Sequence, residues 1–469
     1  MIDTNKFLDY EEKHELFNKE VDGINYWQLI RGQVYEKYLN YMLDIKTRHP
    51  DLEMNASFEG GYKKAIKLFW NSIIHPSKYK YSRDKIVFIT WRRQKNCAVE
   101  VLCSQLPNDT FLIDRPYKFS HLTVNSNIHW CTSDYIELIR GISILVEQHD
   151  RRLIKNIRDS VNEWFDDLVN NFNIELDFNW VINRVIYVIT TQKVLRKYYT
   201  KIFTKYRPRK LVIYPHYEEF SFAIIYVAHK LGIKVFELQH GFVSKTHIAY
   251  NYKEYHYEYL PDYYLLYGEY WKDIITFPKK ESMICCGSIE TDSLKTNSCK
   301  SCKENSIIII SQAPYADVLY PFAVKLKNAI YSNGYNWKVI YKLHPSEVTT
   351  WNSLHPTFKD DDIVFETKNV YDVFEECSIQ IGVDSTALFE GLAYGLKTYI
   401  IDCKYLETSN MEDLCKMGLA KLVGDPMEIV HEIEQTMNAS EENTEKDINY
   451  IWKDHALANI QNCLLDELI

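Results

Sequence analysis

Short runs of β-branched and aromatic residues alternate with longer amphipathic stretches over most of the chain. Apolar runs of about four to eight residues predict buried strands, and apolar positions that recur every three or four residues predict helices. The predicted strands lie at 86–90, 111–113, 210–214 and 234–238, and then at 263–268, 283–286, 307–310, 338–341, 379–381 and 396–402. Strands that alternate with helices are typical of parallel sheets, so the pattern predicts an α/β protein.

The predicted elements group into two domains and two terminal pieces. Phe7, Tyr10 and Phe17 lie at helical spacing near the N-terminus, where no strand pattern begins a sheet. We predict a helical extension at 1–84, a first Rossmann-like domain at 85–255, a linker at 250–262, a second Rossmann-like domain at 262–445, and a C-terminal helix at 446–469 that can cross back to the first domain. The fold class is α/β, with two Rossmann-like domains that face each other across a cleft.

Composition and charge narrow the possible partners. The chain has 469 residues, of which 46% are hydrophobic and only 15 are Gly, so each domain can bury its own core. The net charge of −9 gives no overall electrostatic support for binding nucleic acid. The longest apolar runs are strand-sized, and the first residues lack a signal-peptide core, so we expect a cytoplasmic protein or one held peripherally on the inner face of the cytoplasmic membrane.

Four of the eleven cysteines lie close together in sequence and raise the question of a metal site. They are Cys285, Cys286, Cys299 and Cys302. Four thiols at short spacing can bind zinc. Adjacent residues of a strand point to opposite faces, however, so Cys285 and Cys286 are poorly placed to share one ion. We therefore predict no metal.

A basic segment with apolar residues between the charges precedes the first strand. From 62 to 85 seven basic residues stand against Asp84 alone. The basic residues are Lys63, Lys64, Lys67, Lys78, Lys80, Arg83 and Lys85. Ile66, Phe69 and Trp70 interleave with them. This combination is typical of a helix that lies on a membrane surface, and it also fits an ordinary helix packed on its own domain.

Two strand ends in the second half carry residues suited to binding a phosphorylated ligand. The first end is Lys342, His344 and Pro345, where proline stops the strand. The second is Asp384, Ser385 and Thr386, which begin a helix after the strand at 379–381. A helix N-terminus offers free N–H groups to a phosphate. Glu390, one turn further on, can accept from sugar hydroxyls, and Ser311 and Gln312 follow a third strand at the same sheet edge.

Two strand ends in the first half carry ionisable residues suited to activating an acceptor. Glu218 and Glu219 follow the strand at 210–214, and Gln239, His240 and Gly241 follow the strand at 234–238. Glu218, His240 and Glu219, in that order, are the residues expected to act as a general base toward a bound ligand, with Asp114 next. A carboxylate enclosed by Tyr214, Tyr217 and Phe220 would have its pKa raised toward neutrality. Arg92 and Arg93 follow the first strand and would meet phosphate or an acidic sugar, unless they form a solvated loop.

These motifs carry a resemblance. A His-Pro pair at a strand end, an Asp/Ser/Thr helix start with a Glu one turn in, and a Gln-His-Gly triplet together resemble two-domain (GT-B type) glycosyltransferases of bacterial capsule and O-antigen synthesis. The nearer relatives are sialyl, Kdo and polyol-phosphate transferases. The resemblance covers Lys210 to Asp402. It implies that His344, Ser385 and Thr386 contact the phosphate of a nucleotide-sugar, with a CMP-sugar as the first guess.

The resemblance also implies a reaction class. We expect a metal-independent glycosyltransferase in which the second domain binds the donor and the first holds a saccharide or lipid-linked saccharide. No separate cofactor is expected, since the nucleotide-sugar is a substrate. A nucleotide-sugar 2-epimerase and a polyol-phosphate transferase of the same fold are the alternatives. The acidic motif of sialyltransferases is absent from the sequence, which weakens that assignment.

Overall fold

The structure is a computed structural model. It describes residues 4–42, 61–75, 79–92, 95, 97–117, 119–295, 305–345, 347–348, 351–355, 357–358, 363–403, 411–436 and 445–466.

The N-terminal extension packs onto the first domain. It consists of helix α1 (Thr4–Lys13), the antiparallel pair β1 (Glu20–Val21) and β2 (Ile24–Asn25), and helix α2 (Trp27–Met42). Glu11 and Arg31 form an ion pair at 2.6 Å in its centre, and both side chains are buried. Arg31 also donates to the main-chain carbonyl of Ile248 at 2.8 Å. One continuous apolar core joins this extension to the helices of the first domain, so it does not fold as a separate unit.

The first domain contains an all-parallel sheet of seven strands within the described residues. Its strands are β3 (Ile86–Trp91), β4 (Thr110–Arg115), β5 (Trp130–Thr132), β6 (Lys210–Ile213), β7 (Lys234–Leu238), β8 (Tyr263–Leu266) and β9 (Met283–Cys285), in the order β5-β4-β3-β6-β7-β8-β9. Its helices are α3 (Gly61–Ile74), α4 (Ala98–Gln105), α5 (Asp134–Glu147), α6 (Arg151–Asn162), α7 (Phe165–Phe172), α8 (Phe178–Tyr206), α9 (Glu219–Lys230), α10 (Glu269–Asp273) and α11 (Ile289–Lys295). The central strands are buried on both faces, which explains their continuous apolar runs.

The second domain contains six parallel strands among the described residues. They are β10 (Ser306–Ile310), β11 (Lys338–Lys342), β12 (Val364–Glu366), β13 (Ile379–Gly382), β14 (Lys397–Ile401) and β15 (Ala420–Val423), in the order β12-β11-β10-β13-β14-β15. The helices are α12 (Ala316–Ser332), α13 (Trp351–Leu354), α14 (Val370–Glu376), α15 (Thr386–Ala393), α16 (Met411–Lys416) and α17 (Pro426–Thr436), followed by α18 (Glu445–Ile451) and α19 (Ala456–Leu465). The predicted fold class, two parallel α/β domains consistent with the GT-B arrangement, is confirmed.

Two strands lie in the other sheet from the one that we predicted. The runs at 263–268 and 283–286 were expected to begin the second domain, but β8 pairs with β7 and β9 pairs with β8 in the first sheet. The predicted linker at 250–262 is also integral to the first domain, where Asp262 is buried and pairs with Lys234. Periodicity identifies a strand but not its partner, because pairing depends on tertiary packing.

The C-terminal segment returns to the first domain. Trp452, just after α18, donates its indole N–H to the carbonyl of Phe389 at 2.9 Å in the second domain. Helix α19 then packs Ala456, Ile460 and Leu464 into the core beneath the first sheet. Gly287 lies at this crossing with φ +97°, and a Cβ there would overlap the carbonyl oxygen of Lys453. A glycine is therefore required where the two segments touch.

The basic segment at 62–85 is not one helix. Helix α3 ends at Ile74, and Tyr79 and Ser82 are buried in a separate turn before β3. Of the helices that the described ranges contain, none combines the length and apolar character required to cross a bilayer.

Candidate functional site

A buried carboxylate holds the turn that carries His344. The backbone N–H of His344 donates to Glu347 Oε2 at 2.8 Å, and the N–H of Glu347 donates back to the His344 carbonyl at 2.8 Å. Ser311 Oγ, at the end of β10, lies 3.1 Å from Glu347 Oε1. Burial raises the pKa of Glu347. The main chain of the turn is thus fixed, while the side chains of His344 and Pro345 are exposed at the sheet edge.

Three of the predicted donor-binding residues, Lys342, Ser311 and Gln312, differ in how deeply their side chains are buried at this edge of the sheet. Lys342 is buried, and its ammonium donates to the carbonyl of Leu343 at 2.8 Å, so it braces the turn rather than meeting a ligand. Burial lowers the pKa of Lys342. Ser311 is likewise buried by its contacts within the domain. Gln312 is half-buried, and its Oε1 atom has no hydrogen-bond partner among the described residues. That oxygen is itself shielded from solvent.

Helix α15 begins where the sequence predicted a capped N-terminus. Ser385 is the N-cap residue in extended conformation, and its hydroxyl accepts from the N–H of Ala387 at 3.3 Å. Asp384 precedes it and is buried, and Thr386 is half-buried in the first turn. The helix N-terminus therefore lies at the carboxyl end of β13, in the position where parallel sheets bind phosphates.

A buried glutamine that the sequence analysis missed fixes the direction of α15. The Gln380 amide on β13 donates to the carbonyl of Leu388 at 2.7 Å and to the hydroxyl of Thr398 on β14 at 2.7 Å. A Cβ at Gly391 would overlap this amide, so the helix can approach the sheet only with glycine there. A polar residue inside the apolar strand at 379–381 was the available signal.

Glu390 lies one turn into α15, beside residues of both domains. It is half-buried and hydrogen-bonded to Tyr371 of α14. Burial raises the pKa of Glu390 to about 7, the Tyr371 hydrogen bond opposes this, and Glu290 of α11 adds to it. Glu290 itself accepts from the N–H of Ala98 at 2.9 Å. Tyr267, after β8, interacts with both glutamates, and burial raises its pKa well above the usual value. Residues from both domains thus share one environment, which we call the cleft.

His240 forms the first-domain side of the cleft. Its Nε2 atom lies 2.8 Å from the Tyr217 hydroxyl, and its ring meets the Tyr214 ring edge-on at 5.0 Å between centroids. Two residues further on, Phe242 packs against Phe389 of α15 at 5.5 Å. The Gln-His-Gly loop is therefore held against the helix that begins at Ser385.

Gln239 and Gly241 shape this loop. The Gln239 side chain donates to the carbonyl of Gly241 at 2.9 Å and accepts from the N–H of Tyr267 at 2.8 Å. Both ends of its amide are thus used within the protein, so Gln239 positions the loop instead of meeting an acceptor. Space is open around Gly241, since a Cβ there would contact no atom within 4 Å.

Arginines hold both of the glutamates that we predicted as bases. Glu218 accepts from Arg115 at 2.6 Å and from the Trp91 indole N–H at 2.7 Å. Glu219 pairs with Arg184. Burial alone would raise the pKa of Glu219, but the Arg184 guanidinium outweighs it and the pKa is lowered. The expected increase of the carboxylate pKa is therefore wrong for Glu219, because the carboxylate is paired with a cation.

Arg92 turns into the domain instead of toward a ligand. Its guanidinium pairs with Asp114 at 2.9 Å and with Glu100 at 3.2 Å, and all three side chains are buried. Asp114, our next choice of base, also contacts His121 Nδ1 at 2.8 Å. Burial lowers the pKa of His121, but its hydrogen bonds to Asp114 and Asp134 outweigh this and raise it to about 9. Arg93 lies outside the described residues.

A second buried network that the sequence analysis missed supports the His240 loop from below. His216 Nδ1 lies 2.6 Å from Glu237 Oε2 on β7, and the Tyr250 hydroxyl donates to Glu237 Oε1 at 2.7 Å. Burial would raise the pKa of Glu237, but His216 outweighs it and the pKa is lowered. A charged residue inside an apolar strand was the signal for such a network.

No group of three or more potential metal ligands is found in the described part of the chain. Cys285 and Cys286 are buried, and Cys299 and Cys302 lie outside the described residues.

No family profile and no curated protein sequence matches the chain. The UDP-GlcNAc 2-epimerase of Methanocaldococcus jannaschii, in complex with UDP-GlcNAc and UDP, is 11% identical over 81% of this chain and 99% of its own, with a TM-score of 0.44. The lipopolysaccharide outer core galactosyltransferase WaaB is 12% identical over 81% and 99%, with a TM-score of 0.42. The spinosyn rhamnosyltransferase SpnG, complexed with thymidine diphosphate, is 10% identical over 81% and 99%, with a TM-score of 0.43. These likenesses are distant, so the function proposed below rests on the residues of the cleft.

Proposed function

We propose that this protein is a glycosyltransferase that moves a sugar from a nucleotide-sugar donor to a saccharide or lipid-linked saccharide acceptor. One observation carries the proposal. The Phe242–Phe389 contact brings a histidine-bearing loop of the first domain against a capped helix N-terminus of the second. A group that binds phosphate and a group that can take a proton thereby face the same cleft.

The second domain would bind the donor. The N–H groups at the start of α15, the Thr386 hydroxyl and the exposed His344 side chain supply positive partial charge and donors for the phosphate. The same groups would stabilise the nucleotide as it leaves, when negative charge grows on its phosphate. Glu390 would accept from ribose or sugar hydroxyls.

The first domain would hold the acceptor, and His240 is the proposed base. Glu218 and Glu219 are both committed to arginines, so His240 now precedes them. Its ring is oriented by Tyr217, and it is half-buried beside α15 through the Phe242 contact. We expect His240→Ala to lower turnover by about 100-fold or more at saturating substrates while nucleotide affinity is kept. Glu218→Gln is the matched comparison; a larger loss there than at His240 would move the base to Glu218.

A nucleotide panel tests the donor. Thermal unfolding is followed with CMP, CDP, UDP and GDP, since a ligand at 100 times its Kd adds roughly 2.7 kcal/mol of stability. The resemblance makes CMP the first expectation. Incubation of the matching nucleotide-sugar with and without saccharide acceptors then follows the product. Transfer that requires an acceptor supports the proposal, and a change at the sugar C2 without any acceptor would instead support a 2-epimerase. Release of a polyol phosphate to the acceptor from a CDP-polyol would support the polyol-phosphate alternative. Stabilisation by none of the four nucleotides would overturn the nucleotide site.

A further inference from the structure

Helix α3 carries an apolar face toward solvent. Five of its large apolar side chains are between 50% and 64% exposed. They are Ile66, Phe69, Trp70, Ile73 and Ile74. These positions recur at three- and four-residue spacing, so they form one stripe along the helix. Leu68 on the opposite side is buried against the domain. A surface helix ordinarily places its apolar stripe inward and its polar face outward, and α3 has apolar residues on both sides.

The neighbouring helix α5 extends this surface. It packs against α3, and the Asn71 amide donates to Asp134 Oδ1 at 2.9 Å where the two helices meet. Four large apolar side chains of α5 are between 48% and 66% exposed. They are Tyr135, Ile142, Leu145 and Val146. Single exposed apolar residues are common, but two packed helices that together expose nine of them mark an interaction site.

The charges on α3 are positive. Helix α3 contains three lysines and no acidic residue. Lys63 and Lys67 are exposed, and Lys64 is half-buried. The carboxylates of α5 nearest to α3 turn inward: Asp134 is fully buried on His121, and Glu137 is buried beside Arg140. All three lysines thus lie on the helix that carries the stripe, with Lys67 donating to the Ser120 hydroxyl at 2.6 Å and Lys64 over the Phe119 ring, while Asp134 and Glu137 point away from the stripe.

We propose that α3 and α5 form a docking surface for an anionic lipid bilayer. The apolar stripe would enter the boundary between headgroups and acyl chains, and the lysines would lie among anionic headgroups. Trp70 suits that boundary because its indole ring is largely apolar but carries a polar N–H group. A second copy of the chain fits less well: a twofold contact places the same patch on both subunits, so it would bring the α3 lysines of both copies into one interface with no α3 carboxylate to pair with them. The inference does not depend on the proposed transfer reaction.

Vesicle co-sedimentation tests this surface in the full chain. Wild-type protein should bind vesicles that contain phosphatidylglycerol, and binding should weaken with salt. Changing Lys63, Lys64 and Lys67 to Gln should reduce binding on the order of 100-fold, about fivefold for each lysine. The double variant Phe69→Ser, Trp70→Ser should reduce it by about tenfold or more. Two variants on the exposed face of α12, Lys325→Gln and Tyr331→Ser, are matched controls and should leave binding unchanged.

Three outcomes would overturn the inference. The first is no binding of the wild type to anionic vesicles at low salt. The second is a melting temperature lowered by several degrees in the Phe69→Ser, Trp70→Ser variant, because residues that cost stability when removed are packed within the folded protein. The third is a dimer in sedimentation equilibrium that the same variant dissolves, which would assign the surface to a second copy.

Discussion

At the scale of single residues, the main chain and the side chain of the His344 turn have different roles. Effects on nucleotide binding can therefore be measured apart from effects on protein stability. Glu347 holds the main chain of this turn, and the His344 side chain is exposed. We therefore predict that His344→Ala leaves the melting temperature nearly unchanged but weakens nucleotide binding by roughly 1.5–3 kcal/mol, the range for a hydrogen bond to a charged group. Calorimetric titration and thermal unfolding measure the two effects. Ser385→Ala is the comparison: it also removes an N-cap, so its unfolding free energy should fall by about 0.5–2 kcal/mol. Unchanged nucleotide affinity in both variants would mean that the phosphate of the nucleotide does not bind at this edge of the second sheet.

Glu390 gives a prediction in pH. Its folded pKa is raised to about 7 by burial, above that of an unfolded glutamate, so the folded protein binds the extra proton. The stability that the protonated Glu390 carboxyl contributes is fully present below the pKa of the unfolded state. It is lost as the pH rises from there through 7, where the folded carboxyl ionises. Glu390→Gln should therefore melt at a higher temperature than wild type at pH 8, and the difference should shrink as the pH falls and vanish only below the unfolded pKa of 4.5.

The exposed Glu376 on α14 supplies the control for this pH series. Glu376→Gln should follow the wild-type curve at every pH. A Glu390→Gln variant that melts below wild type at pH 8 would show that the carboxylate is needed charged in the folded state, against the predicted sign.

The residue types in the sequence predicted the local structure of the site only where a residue's role depends on its neighbours in sequence. Ser385 caps α15 as expected, because an N-cap depends on the residue and its neighbours in sequence. Arg92 and Lys342 were predicted to face a ligand and are buried. Their partners, Asp114 for Arg92 and the turn carbonyl for Lys342, become neighbours only in the folded chain. Spacing alone could not reveal that these cations were already satisfied.

At the scale of elements, the segments were predictable and their partners were not. The runs that became β8 and β9 were identified as strands, but the sheet that they join was not. A strand that is buried on both faces has the same continuous apolar pattern whichever sheet it joins, so the pattern does not identify the sheet. The sequence does mark the path of the C-terminal segment, because a Cβ at Gly268 or Gly287 would overlap the backbone of that segment.

The packing of α19 predicts a specific cross-link. Cys286, after β9, and Cys463 of α19 have their sulfur atoms 3.8 Å apart. The hydrogen bond from Cys286 lowers the pKa of Cys463 to about 7, which favours the reactive thiolate. Diamide, which takes up the two electrons and two protons, should therefore join Cys286 to Cys463 in the folded protein, as peptide mass spectrometry would show. Cys463→Ser should abolish that linked peptide. An equal yield of the link in urea would mean that α19 does not hold the two thiols together.

At the scale of the whole molecule, an ion pair and an aromatic cluster join the segment that follows His240 to the second domain. Lys245, which is exposed, pairs with the half-buried Asp413 of α16 at 3.0 Å, and ion pairs at a surface contribute at most about 1 kcal/mol. The aromatic contact is the stronger one: Phe242 meets Phe389 at 5.5 Å and Trp271 at 5.8 Å. Trp271 and Tyr270 of the first domain also meet the Phe389 ring, at 5.0 Å and 5.5 Å. The relative position of His240 and α15 therefore depends on this aromatic cluster, in which Phe242 lies nearest in sequence to His240.

This dependence gives the last prediction. Phe242→Ala leaves the N–H groups at the start of α15 and the Tyr217–His240 hydrogen bond in place but removes one of the ring contacts that set the distance between them. Because misplacement of about 1 Å can cost on the order of 100-fold in rate, we expect turnover to fall by about tenfold or more while the nucleotide Kd changes little. Phe242→Leu keeps apolar volume and should retain most of the activity. Single-turnover transfer and nucleotide titration separate the two effects. Equal losses in affinity and turnover would mean instead that Phe242 contributes to the donor site itself, and that the domains are positioned by other contacts.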